Sequence, residues 1–213
     1  MPEISENEKP FELPAKWEWS RIFNASLFTE YGMSEKTVDG ISGVPVLKMG
    51  DIQSGKVILG GQKVVPSSID CLPELFLDYG DVLYNRTNSA ELVGKTAMFE
   101  GENGKYTFAS YLIRIRCHFE SVTPQYMSLS MNTPLFRKTQ IDPHLKQQCG
   151  QANVNGTIMK SMIISIPPIE QQHRIVKKVD ELMTLCDQLK SRLSAAQTTQ
   201  RHLADTIVEQ AVS

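Results

Sequence analysis

The feature that most constrains this chain is a long heptad pattern at its C-terminal end. After Pro167-Pro168, apolar residues recur at alternating spacings of four and three, which is typical of a coiled-coil seam. At ~1.5 Å per residue, a helix of about 40 residues is roughly 60 Å long. No other segment has matching length, so the pattern predicts that a helix from another chain covers the seam. The seam positions are Ile175, Val179, Leu182, Cys186, Leu189, Leu193, Ala196, Gln200, Leu203 and Ile207.

The composition indicates an ordinary globular protein. The chain has 213 residues, of which 41% are hydrophobic, enough for one substantial domain and an appendage. The acidic, polar N-terminus and the lack of an apolar run of ~20 residues predict a cytoplasmic protein that does not bind membranes. The cysteines are scattered, which predicts neither a zinc site nor a disulfide framework. A net charge of −2 argues mildly against a free-standing nucleic-acid binder, although a local basic cleft can coexist with it.

The order of signals along the chain predicts an α+β fold. We expect a disordered lead over residues 1–12, a mixed, strand-rich domain over 13–166, and a long helix over 167–213. Short apolar runs between glycine and asparagine turns predict the strands. In Tyr111–Cys117, apolar residues alternate with Arg114 and Arg116, which predicts one buried face and one cationic face. The other runs are Val44–Met49, Val82–Tyr84 and Met162–Ile166.

Three further segments carry local signals. Gly101–Gly104 is typical of a hairpin turn, here between Met98-Phe99 and Tyr106–Ala109. Thr123-Pro124 and Thr133-Pro134 predict the capped starts of two short helices. We expect residues 141–160, which are polar and contain glycine, to form a long loop.

The sequence offers no active site. Gly94-Lys95-Thr96 resembles the end of a phosphate-binding loop, but Ser89 stands where that loop requires a glycine, and a strand pattern follows. The prolines at 167 and 168 lack the polar neighbours of an amino-methyltransferase motif, and the histidines lack ligand spacing. We therefore predict a protein without catalytic residues, metal or cofactor of its own.

Two polar segments are candidates for binding DNA. Arginine can donate two hydrogen bonds to guanine, and asparagine or glutamine can pair with adenine. Each segment taken alone is also typical of an ordinary polar turn. Lys48 and Arg114 are weaker candidates for phosphate contacts. The first segment holds Asn85, Arg86, Thr87 and Asn88, and the second holds Lys146, Gln147, Gln148 and Asn153.

Four stretches resemble the specificity subunits of type I restriction–modification systems: Leu13–Trp19, Val44–Lys56, Gly80–Phe99 and Pro167–Leu193. The resemblance covers the chain from Phe11 onward. It implies a target recognition domain that reads one half of a split sequence in double-stranded DNA. It also implies a helix that serves as a spacer and as the platform for methyltransferase subunits, which recruit the restriction subunit. S-adenosylmethionine is expected on the methyltransferase subunit.

Members of that family usually carry two recognition domains and two antiparallel spacer helices, whereas this sequence has one of each. It is therefore either a natural half-subunit that dimerises or a fragment of a longer protein. A homodimer with antiparallel helices would read a bipartite, palindromic target. The small Ala196 and polar Gln200 would help to fix the antiparallel register. Two alternatives stay open: a coiled-coil scaffold that does not bind DNA and, more distantly, an enzyme acting on nucleotides.

Overall fold

The computed structural model describes residues 2–40, 42–148 and 151–211. The chain divides into two compact units, Met1–His173 and Arg174–Ser213. The first unit is a mixture of strands and short helices, and the described residues of the second unit are helical, so the predicted α+β class is confirmed.

The strands are short and follow one another closely along the first unit. In chain order they are β1 (Glu18–Arg21), β2 (Ser26–Tyr31), β3 (Val44–Leu47), β4 (Ile52–Gln53), β5 (Lys56–Val57), β6 (Val64–Val65), β7 (Val82–Asn85), β8 (Thr87–Asn88), β9 (Thr96–Met98), β10 (Thr107–Phe108), β11 (Leu112–Cys117), β12 (Lys146–Gln148), β13 (Gln151–Asn153) and β14 (Ile163–Ile166).

Most helices are also short. The α-helices are α1 (Leu72–Leu75), α2 (Pro124–Met131), α3 (Pro134–Phe136), α4 (Gly156–Ser161) and α5 (Ile169–Ala211). A π-helical segment (Arg137–Ile141) continues α3, and 3₁₀ turns occur at Glu6–Glu8, Met49–Asp51 and Asp142–His144. Thr123 caps α2 by accepting a hydrogen bond from the Tyr126 amide, and Thr133 caps α3 in the same way, as predicted.

A six-stranded sheet in the order β2-β11-β7-β9-β5-β4 forms the centre of the domain. Its pairs are antiparallel except for β5 with β9. Leu83 and Ala97 lie opposite each other on β7 and β9 and pack into the main hydrophobic core with Leu47 and Phe108. Those two residues belong to the second sheet, β10-β3-β6. Every residue of β7 is buried, as expected for a central strand.

The strand-to-helix junction at Pro167-Pro168 lies where the sequence places it. β14 ends at Ile166, α5 begins at Ile169, and β1 pairs antiparallel with β14. Gln172, in the first turn of α5, is completely buried. Its Oε1 accepts the Thr123 amide at 2.8 Å, and its Nε2 donates to carbonyls of Ser121 and Pro167 at 2.8 and 2.9 Å. This side chain therefore fixes the start of α2 to the start of α5.

Two local predictions are wrong. Residues 101–104 do not close a hairpin, because β9 pairs with β7 and β5 whereas β10 pairs in parallel with β3. Residues 141–160 are not a loop, because they hold a 3₁₀ turn, β12, β13 and most of α4. Both errors arise because partners distant in sequence determine the structure there.

The long C-terminal helix is confirmed as one continuous element, α5. Four seam residues, Leu189, Leu193, Leu203 and Ile207, are more than half exposed. Pairing of α5 with a second helix stays a prediction. None of the described helices is both long and apolar enough to cross a membrane.

Candidate nucleic-acid interface

The structure brings part of the first predicted polar segment, Thr87-Asn88, together with the second segment in one small sheet. β8 pairs antiparallel with β13, and β13 pairs antiparallel with β12. Asn153 lies opposite Thr87 on one side and opposite Lys146 on the other. We call this three-stranded sheet, β12-β13-β8, the polar sheet. Segments that are weak signals separately thus form one candidate surface.

Arg86 links the polar sheet to the central sheet. Its amide donates to the Tyr111 carbonyl at 3.0 Å, and its carbonyl accepts the Val154 amide at 2.9 Å. Its side chain is half-buried, with Nε donating to the Ser110 carbonyl at 2.8 Å and Nη1 donating to Oδ1 of Asn153 at 3.3 Å. The guanidinium carbon lies 5.0 Å from the centre of the Tyr31 ring, within the range of a cation–π contact.

The ring of Tyr31, the last residue of β2, is itself fixed at its hydroxyl end. Its hydroxyl oxygen accepts the Gly156 amide at 2.6 Å. A Cβ atom on Gly156 would lie 2.8 Å from that oxygen, closer than real Cβ atoms approach other groups. A side chain at this position would therefore displace the end of the Tyr31 ring. The ring and the guanidinium are fixed relative to each other by contacts on both.

Two of the predicted side chains do not reach the surface. Asn85 is completely buried, and Thr87 is nearly so. Neither the amide of Asn85 nor the hydroxyl of Thr87 has a hydrogen-bond partner within the described part of the chain. Asn85 ends the central strand β7 and alternates with Tyr84, so it lies on the same face as the core residue Leu83. This burial corrects the expectation that both side chains face DNA.

Arg114 requires a similar correction. Its side chain is buried and forms ion pairs with Glu30 and, at 3.5 Å, Asp81. It also donates to the carbonyls of Phe76 and Glu74 at 2.7 and 2.8 Å. A buried guanidinium whose two terminal nitrogens are paired in this way is not available to a phosphate. The predicted cationic face of β11 is therefore wrong.

The same group of ion pairs compensates the positive charge of Arg116. Its Nε donates to Oδ1 of Asp81 at 2.8 Å, and its Nη2 donates to Oδ2 of Asp78 at 2.8 Å. These hydrogen bonds raise the pKa of Arg116 above its usual range. The charge of both β11 arginines is thus balanced within the domain.

The remaining predicted residues differ in what the structure describes. Lys48 is half-buried, and its Nζ donates to Oγ1 of Thr37 at 2.7 Å. Neither residue belongs to the polar sheet. Asn88 and Asn153 lie on adjacent strands of the polar sheet, with Asn153 exposed and Asn88 partly so. The backbones of Lys146, Gln147 and Gln148 form β12, while their side chains lie outside the described residues.

Sequence reasoning missed two aromatic residues beside Arg86. Tyr31 and Tyr111 are both nearly half exposed, although each adjoins buried strands. Their sequence signal is weak, since a tyrosine at a strand end is common. Only the pairing of β2, β11 and β7 shows that both tyrosines lie next to Arg86, the residue that precedes β8.

The described residues show no cluster of three or more histidine, cysteine or acidic side chains suited to hold a metal. Lys95 is followed by the strand β9, as predicted, and not by the helix that a phosphate-binding loop must open. The geometry offers hydrogen-bond donors and acceptors, a guanidinium and exposed aromatic rings. These groups are suited to recognising a polar, planar ligand rather than to catalysing a reaction of such a ligand.

Comparison with known proteins gives consistent matches. The family model for the type I restriction modification DNA specificity domain matches residues 18–196. The chain is 30% identical, over its whole length and 36% of the relative, to the type I restriction enzyme EcoEI specificity subunit of Escherichia coli. It is 25% identical to the EcoKI specificity subunit of E. coli strain K12, over 98% of this chain and 45% of that one.

Among solved structures, the HsdS subunit from Thermoanaerobacter tengcongensis has a similar fold, with a TM-score of 0.72 and 21% identity. The similarity covers 92% of this chain and 50% of that one. The chain thus spans between about a third and a half of the length of the relatives that it matches.

Proposed function

The chain belongs to the family of type I restriction modification DNA specificity domains, and from this premise we propose that it reads one half of a split DNA sequence for a methyltransferase and restriction complex. The observation that carries the proposal is the polar sheet, which places Arg86, Asn88 and Asn153 together. The chain supplies recognition without catalysis. Adenine methylation would be carried out by a partner methyltransferase subunit with its own S-adenosylmethionine, and that subunit would recruit the restriction subunit.

The proposed DNA contacts are those whose chemistry and position both fit. Arg86 can direct its guanidinium at a guanine, while the amides of Asn88 and Asn153 can pair with adenine. Lys146, Gln147 and Gln148, whose backbones form the neighbouring strand β12, are kept as candidate DNA contacts, and Lys48 is kept as a phosphate candidate. Asn85, Thr87 and Arg114 are excluded because they are buried. Replacing Arg86 with alanine should cost ~1–3 kcal/mol of binding and relax preference at one base pair.

A DNA-binding titration tests this assignment. Fluorescence anisotropy of a labelled random-sequence duplex would be measured with the chain alone and with the methyltransferase subunit, over a range of salt concentrations. We expect affinity to fall with salt, since phosphate contacts release counterions. Binding that is absent under both conditions at low salt would contradict the proposal.

A charge-matched pair of variants locates the surface. Arg86→Ala removes one positive charge next to the polar sheet, and Lys56→Ala removes one from the exposed first residue of β5. We expect only Arg86→Ala to change both affinity and sequence preference. Equal effects of the two variants would show that the polar sheet is not the DNA-binding surface.

We further propose that α5 is the spacer between two recognition domains and the platform for the methyltransferase subunits. Covering a leucine side chain stabilises an assembly by about 1.5–3 kcal/mol, so a seam of exposed leucines favours pairing strongly. A second copy of the chain offers a seam of equal length, and antiparallel pairing gives a twofold dimer. Such a dimer would read a palindromic, bipartite target whose spacing follows from the helix length.

Two variants of equal exposure test the dimer. Leu193 lies on the seam and is 61% exposed, whereas Val208 lies outside both seam series and is 62% exposed. In sedimentation velocity at micromolar concentration we expect the native chain and Val208→Glu to be dimers and Leu193→Glu to be a monomer. A native chain that sediments as a monomer would contradict the dimer but not the DNA-binding proposal.

The alternative of a coiled-coil scaffold that does not bind DNA is not favoured, because the matching family is one of DNA specificity domains. The cytoplasmic localisation expected from the sequence remains a prediction within this proposal.

A further inference from the structure

We propose that Tyr31 is a specificity residue of the DNA-binding surface that acts through Arg86. Tyr31 is a positioning residue. Its hydroxyl holds its ring, and its ring holds the guanidinium of Arg86 so that one edge of the guanidinium faces the DNA. That edge recognises a single G·C pair. The inference rests on the proposed DNA-binding function and names a recognition device within it.

The contacts of Arg86 determine which edge is available. An arginine can pair with guanine through Nε and Nη2 or end-on through Nη1 and Nη2. Nε is already used by the Ser110 carbonyl at 2.8 Å. Nη1 donates one long hydrogen bond, 3.3 Å to Oδ1 of Asn153, and among the described residues Nη2 donates none. The end-on pair is therefore the edge that can meet a base.

Tyr31 fixes the plane of that edge. The guanidinium carbon lies 5.0 Å from the ring centre, and the ring is fixed at its far end by the Gly156 amide, 2.6 Å from the hydroxyl oxygen. The ring therefore cannot rotate away without losing a hydrogen bond. An unrestrained arginine loses side-chain rotamer entropy when it binds. An arginine whose guanidinium is already fixed loses less, and it favours the ligand whose acceptors match the fixed orientation of its N–H donors.

The same contacts argue for a base edge as the ligand of Arg86. A phosphate accepts an arginine from many directions and requires no such fixation, whereas guanine O6 and N7 accept a planar fork in one orientation. The charge of Arg86 is also uncompensated by a carboxylate, since none of the ion pairs among the described residues includes Arg86. An ion-paired arginine such as Arg114 would not serve this purpose.

The test is selection from a randomised duplex library by the assembled complex of this chain with its methyltransferase subunit, followed by sequencing of the bound DNA. The variants are Arg86→Ala, Tyr31→Leu, Tyr31→Phe, the double variant Arg86→Ala/Tyr31→Leu, and Gly156→Ala. Gly156→Ala would displace the Tyr31 hydroxyl without altering either side chain. Tyr79→Leu is the matched control, since Tyr79 is an exposed tyrosine before the opposite end of β7.

For the native complex we expect a G·C preference at one position, which Arg86→Ala lowers by roughly five- to 150-fold. Tyr31→Leu should lower the preference at that same position by about two- to fivefold, the contribution of an exposed cation–π contact. Tyr31→Phe and Gly156→Ala should lower it less, and Tyr79→Leu should not change it. In the double variant Tyr31→Leu should add nothing, because its effect passes through Arg86.

Several results would overturn the inference. One is a Tyr31→Leu variant that keeps the native preference, or that loses affinity equally for all sequences as a phosphate contact would. Another is a change at a different position from that of Arg86→Ala. A native complex that selects no sequence would overturn the proposed function as well, which separates the two failures. Thermal unfolding of each variant verifies that the domain is folded, and Tyr31→Phe serves if Tyr31→Leu is not.

Discussion

Replacing Gln172 with alanine should destabilise the recognition domain far more than the same change at its neighbour Gln171. Gln172 is completely buried and makes three hydrogen bonds, to the Thr123 amide and to the carbonyls of Ser121 and Pro167. Gln171 is only partly buried and makes one, by accepting from Nε1 of Trp17 at 2.9 Å. The two residues differ in environment but not in chemistry.

The expected magnitude follows from the groups left without partners. A buried polar group that loses its partner costs ~1–3 kcal/mol, so losing three hydrogen bonds at once should lower the free energy of unfolding by about 3–5 kcal/mol. Loss of the one hydrogen bond of Gln171 should cost ~0.5–1.5 kcal/mol. Because helix α2 begins at the Thr123 cap, part of the loss at Gln172 is loss of that helix start.

Urea unfolding followed by tryptophan fluorescence measures both variants. Both tryptophans of the chain, Trp17 and Trp19, lie in the first unit, so the signal reports on the recognition domain with the first turn of α5 and not on the second unit. A Gln172→Ala variant as stable as Gln171→Ala would refute the reasoning, since it would show that three buried hydrogen bonds contribute no more than one partly buried hydrogen bond.

Gln172→Glu gives the same account a dependence on pH. The new carboxylate would face the Ser121 and Pro167 carbonyls that now accept from Nε2, so burial and these oxygens would raise its pKa in the folded state. The folded protein would then bind a proton that the unfolded chain releases. Stability relative to the native chain should therefore fall as pH rises above ~4.3, the ordinary glutamate pKa. A difference that stays constant from pH 4 to 8 would contradict this.

Three further predictions concern the interior of the same domain. Asp81→Asn should lower the free energy of unfolding by about 3–5 kcal/mol, because the 1% exposed carboxylate balances two arginines, whereas Asp78→Asn, at 46% exposure, should cost less than about 1 kcal/mol in the same urea assay. Burial raises the pKa of the Cys117 thiol to about 12, so iodoacetamide at pH 8 should label the exposed Cys71 but reach Cys117 only after unfolding, as read by mass spectrometry. Gly43→Ala should lower the unfolding temperature, because the residue has a φ of +128° and its Cβ would lie 2.4 Å from the Val65 carbonyl oxygen, while Gly50→Ala, with nothing within 4 Å, should not.

Elements defined by neighbouring residues could be predicted from the sequence. The length of α5, its start after the proline pair and the threonine caps of α2 and α3 all depend on residues within a few positions. That β9 and β10 do not pair as a hairpin could not be judged in this way. The two strands are close in sequence, but β10 gains its hydrogen bonds from β3, far away along the chain.

The candidate site shows the same contrast between features set by neighbouring residues and features set by residues distant in sequence. Side-chain chemistry alone selects both segments of the polar sheet, but their pairing depends on β13 meeting β8. The burial of Arg114 cannot be read locally either, because its partners Glu30 and Asp81 come from other strands. Tyr31 was missed for the converse reason, since its importance arises only from its contact with Arg86.

The most direct test of the central claim is sequencing of methylated bases in DNA from cells that express this chain together with a type I methyltransferase subunit. The account predicts methylated adenine in one split motif, with a gap between two specified halves, and loss of one specified base pair in the Arg86→Ala strain. Methylation without a common motif, or a motif unchanged by Arg86→Ala, would contradict it.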